Sequence, residues 1–233
     1  MDTVSREIVS LPGGPAQVEW RRNQRARRVS LRIDPRDGAV VVTLPPRSNR
    51  NAGVALLMDN AAWVSARLAA LPGQVAFADG AAVPLGGVGH VIRHMPQGRG
   101  AAWLEGGEIR VAGAPEFLPR RVGDFLRAEA RRVMSALVLE KAGLAGLHPR
   151  RVAIKDTKSR WGSCAPDRTL AFSWRLVMTP VFVQDYVAAH EVAHLLHMNH
   201  GPRFWALTRT LTEHTDTAVA WLRAEAPRLL RIG

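Results

Sequence analysis

Apolar and polar positions alternate along Val29-Ser30-Leu31-Arg32-Ile33-Asp34, the mark of a half-buried strand. Asp34-Pro35-Arg36-Asp37-Gly38 supplies turn residues, and residues 39–44 return as a second strand, so a hairpin is expected. The period then lengthens. Val54, Leu57, Ala61, Val64 and Leu68 recur at helical spacing, predicting one helix capped by Ser48 or Asn51 and stopped by Pro72-Gly73. Residues 76–112 are rich in glycine, with short strand-like runs, a tight turn at Gly106-Gly107, and His90 and His94 in surface positions. Pro115 opens a long amphipathic helix to about Ala142, ended by Gly143. Phe117, Val122, Phe125, Val133 and Leu137 mark its core face, and its charged residues read as solvated. Residues 152–156 and 170–174 read as strands flanking Lys158-Ser159-Arg160-Trp161-Gly162-Ser163-Cys164. A short helix over residues 202–211 and a last one from Thr215 or Asp216 end the chain.

Between those strands and the short helix lies an apolar helix. Thr179-Pro180 marks its start, with threonine as cap and proline at the first helical position. Val181, Val183, Val187, Ala188 and Leu195 run along it, and Asn199, Gly201 and Pro202 break it. It carries His190-Glu191-Val192-Ala193-His194. Residues four apart stack on one helix face, so two imidazoles converge as half of a tetrahedral metal site. Glu191 adjoins the first histidine, where its carboxylate can take the proton of a water that the metal activates. His200 follows the break and is the preferred third ligand. His197 competes, but ~1.5 Å of rise per residue puts it far from His190 along the axis, and a residue elsewhere stays open. The spacing from His190 to His200 matches the metzincin pattern, yet His197 stands where that pattern has glycine. Four of the eight histidines fall between residues 190 and 200, a density that a purely structural helix does not need.

Composition narrows the setting. With 233 residues and 47% hydrophobic content, the chain can bury a full core, as one domain or two. Nothing approaches the ~20 uninterrupted apolar residues of a membrane span, and the N-terminus lacks the apolar core of a signal peptide. The single cysteine, Cys164, excludes an internal disulfide framework and fits a reducing compartment, so the cytoplasm is expected. Net charge is +12, carried almost entirely by arginine. Arg21, Arg22, Arg25, Arg27 and Arg28 form the densest cluster, which would bind polyanions weakly and without sequence preference, because only Trp20 is interleaved as an aromatic platform.

Arg160-Trp161-Gly162-Ser163-Cys164, Trp174-Arg175-Leu176, Asp185-Tyr186-Val187, the histidine motif and Asn199-His200-Gly201-Pro202-Arg203-Phe204-Trp205 occur in one order. Together they resemble the YgjP-like metal-dependent hydrolase family, related to the SprT and WLM zinc metallopeptidases. The resemblance spans nearly the whole chain. It implies an α+β fold: a zincin-like core with a small sheet packed on the HExxH helix, carrying an N-terminal hairpin and helix extension. The division expected is an extension over residues 1–112 and a catalytic domain over 113–233. The resemblance also implies Zn2+ held by His190, His194 and His200, with Glu191 as the catalytic base. Glu213-His214-Thr215-Asp216 departs from the family's usual Pro-Asp-Tyr run, which bears on the last helix but not on the metal site.

Trp161-Gly162-Ser163, as a strand beside the metal, would offer its backbone to an extended substrate, and Arg160 could neutralise a carboxylate or phosphate. Arg203, His197 and Arg160 are the candidates for stabilising a developing oxyanion. Cys164 reads as a small buried residue and Tyr186 as packing beneath His190. The function expected is a zinc metallopeptidase acting on a peptide or an unfolded protein. A metal-dependent nucleotide pyrophosphatase is the alternative, although no phosphate-cradling glycine loop is present. The second alternative is a nucleic-acid-associated protein with a structural zinc.

Overall fold

The structure, a computed structural model, describes residues 4–157 and 160–233; Lys158 and Ser159 of the expected 158–164 segment lie outside the described residues. The chain is α+β and forms two compact units, residues 1–73 and 74–233.

In the first unit, β1 (Val4–Leu11), β2 (Gly14–Arg22), β3 (Ser30–Ile33) and β4 (Val40–Leu44) form one sheet in the order β1-β2-β4-β3. The expected hairpin is β3–β4, antiparallel, with Leu31 opposite Val42 and Ile33 opposite Val40. Strand β4 also runs parallel to β2. The expected single helix is two, α1 (Arg50–Asp59) and α2 (Ala61–Ala69). Asn60 breaks it, because its φ of −108° and ψ of 16° leave the helical region. Its side-chain amide donates to the Leu56 carbonyl at 2.8 Å. The cap is Asn49, whose side chain accepts from the Ala52 amide. Leu57 and Val64 close this core over Val18, Trp20, Val40 and Val42.

The second unit opens with β5 (Ala82–Leu85), β6 (Val88–Met95), β7 (Ala102–Glu105) and β8 (Glu108–Ala112), in the order β5-β6-β8-β7. Gly106 and Gly107 have φ of 59° and 77°, so both central residues of the β7–β8 turn are left-handed, the geometry of a two-residue hairpin that favours glycine. This sheet was expected with the N-terminal extension. It belongs instead with the C-terminal unit, because Val83, Ile92, Ile109 and Val111 bury in one cluster with Leu118, Val122 and Leu126 of α3 (Leu118–Leu144). A second, three-stranded sheet follows: β9 (Arg151–Lys155), β10 (Gly162–Cys164) and β11 (Thr169–Ser173), ordered β10-β11-β9. Helices α4 (Val181–Ala193), α5 (Pro202–Leu211) and α6 (Thr215–Leu229) complete the chain. No helix among the described residues is long and apolar enough to cross a membrane.

Helix α3 turns a face inward that is rotated from the expected one: Val122 is buried, but Phe117, before the helix, is 43% exposed, and Phe125, Val133 and Leu137 sit at the margin of Leu126, Ala130, Met134 and Val138. Nor are its charges all solvated. Lys141 is buried, and its ammonium lies 2.5 Å from Asp185 on α4 and 3.0 Å from Glu140. Burial alone would lower its pKa; the hydrogen bonds that it donates to Asp185 and Glu140 outweigh that and raise it. Thr212 Oγ1 donates to the same Asp185 carboxylate. Asp185→Ala would leave the buried ammonium with only an exposed neighbour, so a loss of about 3 kcal/mol in urea unfolding is expected. A loss below about 0.5 kcal/mol would show that the pair contributes nothing beyond an exposed one.

Candidate metal centre

The centre is assembled where α4 ends. Val183, Val187, Ala188 and Val192 bury one side of the helix against Leu170 and Phe172 of β11 and Leu176. That packing brings the last turn of α4 beside β10, the edge strand of its sheet. The helix stops at Ala193, earlier than expected, with His194 as its C-cap. The His194 amide still donates to the His190 carbonyl at 3.3 Å, so the four-residue spacing holds and both imidazoles share a face. From Leu195 on, the amides reach back three residues in two successive bonds, and the chain leaves the helical path.

His200 returns to the same point. One ring nitrogen from each of His190, His194 and His200 lies within 4.8 Å of the others, and the Nε2 atoms of His190 and His200 are 3.2 Å apart. His194 Nδ1 donates to the His197 carbonyl at 3.0 Å, which leaves its Nε2 as an acceptor. Tyr186 is buried, as expected, but its hydroxyl also sits 3.4 Å from His190 Nδ1. Burial and then the neighbouring imidazoles push His190 down to about 4. Burial, chiefly, also lowers His194. Both rings are therefore neutral near pH 7, the form that donates a lone pair to a cation.

Phe204, fully buried on α5, packs under all three rings at centroid distances of 4.5–4.9 Å. Pro202 at the first turn of α5 fixes the entry angle that brings Phe204 there. Its place beneath the histidines comes from tertiary packing and has no local sequence signal.

Glu191 lines one pocket with these histidines. It is 4% exposed, and its Oε2 is buried with no hydrogen-bond partner. Burial raises its carboxyl to about 8, opposed by the charge of Arg160. Gly162 makes room for it: a β-carbon there would lie 2.4 Å from Glu191 Oε1 and 2.6 Å from its Cγ.

An open pocket of about 370 Å³ joins these groups, lined by Arg160, Gly162, Ser163, His190, Glu191, His194 and His200, together with Cys164 and Met198. Trp161, Arg203 and His197 are not in its lining. Trp161 is half-buried and packs against both apolar clusters of the unit. Arg203 is exposed on α5, and His197 reaches the centre through its carbonyl only. Cys164, expected to be buried, is half-buried at the pocket wall; burial, then Glu191, push its thiol up, keeping it protonated. His90 and His94 lie on β6, outside the cluster.

Three convergent imidazoles beside a buried carboxyl group, in an α+β unit, could hold a metal ion. The family model of the YgjP-like, metallopeptidase domain matches residues 27–225, and the chain belongs to that family. Neither a curated protein nor a solved structure shows significant similarity to it.

Proposed function

We propose that the chain is a zinc-dependent peptidase of the HExxH type, with a zincin-like core in which His190, His194 and His200 hold the metal and Glu191 is the general base. The observation that carries this reading is the pairing of three convergent ring nitrogens with an orphaned buried carboxylate oxygen. The residues fit the group: two lone-pair acceptors 3.2 Å apart oppose one another unless a proton or a cation lies between them. Three protein ligands, rather than four, suit a catalytic site.

When bound, zinc supplies a Lewis acid and lowers the pKa of a water toward ~7. Glu191 accepts that water's proton at its carboxylate and later delivers it to the leaving amine. A divalent cation held by the imidazoles would oppose the burial that raises the Glu191 carboxyl and so would favour its ionised, proton-accepting form. Tyr186 and the His197 carbonyl orient the imidazoles of His190 and His194, and Phe204 holds all three from below. Among the described residues, strand β10 pairs on one side only, with β11. Its free edge can take an extended peptide by main-chain hydrogen bonds past Gly162 and Ser163. Arg160 at the pocket wall serves a substrate carboxylate or the developing oxyanion. With Cys164 as a free thiol, the cytoplasm suits this activity.

The test pairs metal analysis with turnover. One zinc per chain is expected, with chelator-sensitive cleavage of an unfolded protein that zinc restores and no hydrolysis of nucleoside triphosphates. Turnover of the triphosphates alone would favour the pyrophosphatase reading instead. Metal should stay stoichiometric in His197→Ala and fall well below one per chain after gel filtration of His200→Ala; the reverse result would overturn the ligand set.

A further inference from the structure

The first unit carries a second surface that the metal centre does not use. It holds eleven arginines against six acidic residues and no lysine. Some of these arginines are occupied: Arg6 and Arg21 pair with Glu19, Arg50 with Glu7, and Arg22 donates to the Pro46 carbonyl. Arg25, Arg27, Arg28, Arg32 and Arg67 are exposed, and among the described residues none has an acidic partner within ion-pair distance. Three of them lie on the loop that leads into β3, the edge strand, and Arg32 lies on β3 itself.

Trp20, the aromatic expected among this cluster, cannot serve as a platform. It is 5% exposed, its indole N–H donates to Glu7 at 2.9 Å, and Arg50 covers its ring. The fold supplies another. Trp63 on α2 is 49% exposed and lines a hollow of about 380 Å³ with Arg28, Val29, Ser30, Leu31, Leu56 and Asn60. Arg67 follows Trp63 by four residues, on the same face of α2. No lining residue is acidic.

We propose that this hollow binds single-stranded nucleic acid, with a base stacked on Trp63 and Arg28 and Arg67 on the flanking phosphates. An exposed indole costs free energy in water and finds its natural partner in a flat π-face. The guanidinium groups of Arg28, in the lining, and Arg67, one turn along α2 from Trp63, match the charge of a phosphate backbone and gain by releasing its counterions. A duplex keeps its bases inside the stack, so only an unpaired strand can lay one into the hollow. An acidic protein segment would satisfy the arginines but leaves the indole without a partner.

Fluorescence anisotropy on the full chain tests this, with a labelled oligodeoxynucleotide, its duplex, and polyglutamate of matched charge, over a salt series. The single strand is expected to bind at least about tenfold tighter than either competitor. Trp63→Ala should weaken it about 5- to 100-fold, the range for one stacked base, and Trp63→Phe should largely restore it. Arg28→Ala and Arg67→Ala should each lower the slope of log affinity against log salt by about 0.7. Circular dichroism melting of each variant guards against misfolding, since Trp63, Arg28 and Arg67 lie outside the core. Equal affinity for the duplex, or none of the loss in Trp63→Ala, would reduce the surface to a general polyanion patch and overturn the proposal. Preferred binding of polyglutamate would assign it to an acidic protein.

Discussion

Glu191→Gln is expected to leave a folded protein with full metal content whose hydrolytic turnover has fallen at least about a hundredfold, the scale of lost general-base catalysis. Glutamine keeps the size and shape of the side chain but cannot take up the water's proton. The histidines and their orienting partners are untouched, so metal content should match the parent. A second, independent readout follows from burial. The Glu191 carboxylate is 4% exposed and its Oε2 has no hydrogen-bond partner, so in the metal-free protein the charged form is costly to bury. Its carboxyl is raised from the ordinary 4.5 to about 8. The folded state therefore holds this proton more tightly than the unfolded one, and the contribution to stability is lost as pH rises between those values. The lowered His190 and His194 gain stability over part of the same window, so the readout is the difference between proteins. From pH 5 to pH 8 the melting temperature of the metal-free parent should change less favourably than that of metal-free Glu191→Gln. Undiminished turnover would remove Glu191 as the base. Loss of metal along with turnover would make it a structural group of the centre.

Much of this centre was legible along the chain because its signals are local. His190 and His194 depend only on helical spacing, and the break that returns His200 is written in Asn199, Gly201 and Pro202. The same holds for the β3–β4 hairpin, whose alternation and turn residues are adjacent, and for α5, which runs over Pro202–Leu211 as expected. What the sequence hid depends on partners distant in the chain. The apolar face of β5–β8 looks the same whether it packs on an N-terminal extension or on α3. Lys141 reads as a surface charge until Asp185, from another helix, is brought to it. Strand β1 shows little alternation, because most of its residues are exposed and its place comes from pairing with β2. Trp63 falls outside the helical stripe of Val54, Leu57, Ala61, Val64 and Leu68, and only the fold sets it beside Arg28.

Gly162 gives the other large effect. Two readings of that residue lead to opposite results. As a mere member of an edge strand offering backbone to substrate, Gly162→Ala changes no hydrogen bond and should act mildly. Its proximity to Glu191 says otherwise. The added methyl carbon would lie 2.4 Å from Oε1, 2.6 Å from Cγ and 2.7 Å from Cδ of that side chain, closer than non-bonded atoms allow. Strand β10 is held to β11 by its pairing with Phe172, and α4 by its buried face, so the element that yields is the Glu191 side chain. Displaced, its carboxylate no longer meets the water it should deprotonate, and misplacement of about 1 Å can cost a hundredfold in rate. Gly162→Ala is therefore expected to keep its metal, lose turnover by about that factor, and lose about 1–3 kcal/mol of stability to overpacking. The double variant separates the causes. In a Glu191→Ala background the space is already vacant, so the added methyl should cost almost nothing, a coupling of about 1–3 kcal/mol between the two positions in urea unfolding. Additive losses would instead place the defect in the strand, and Gly162 would have no part in positioning the base.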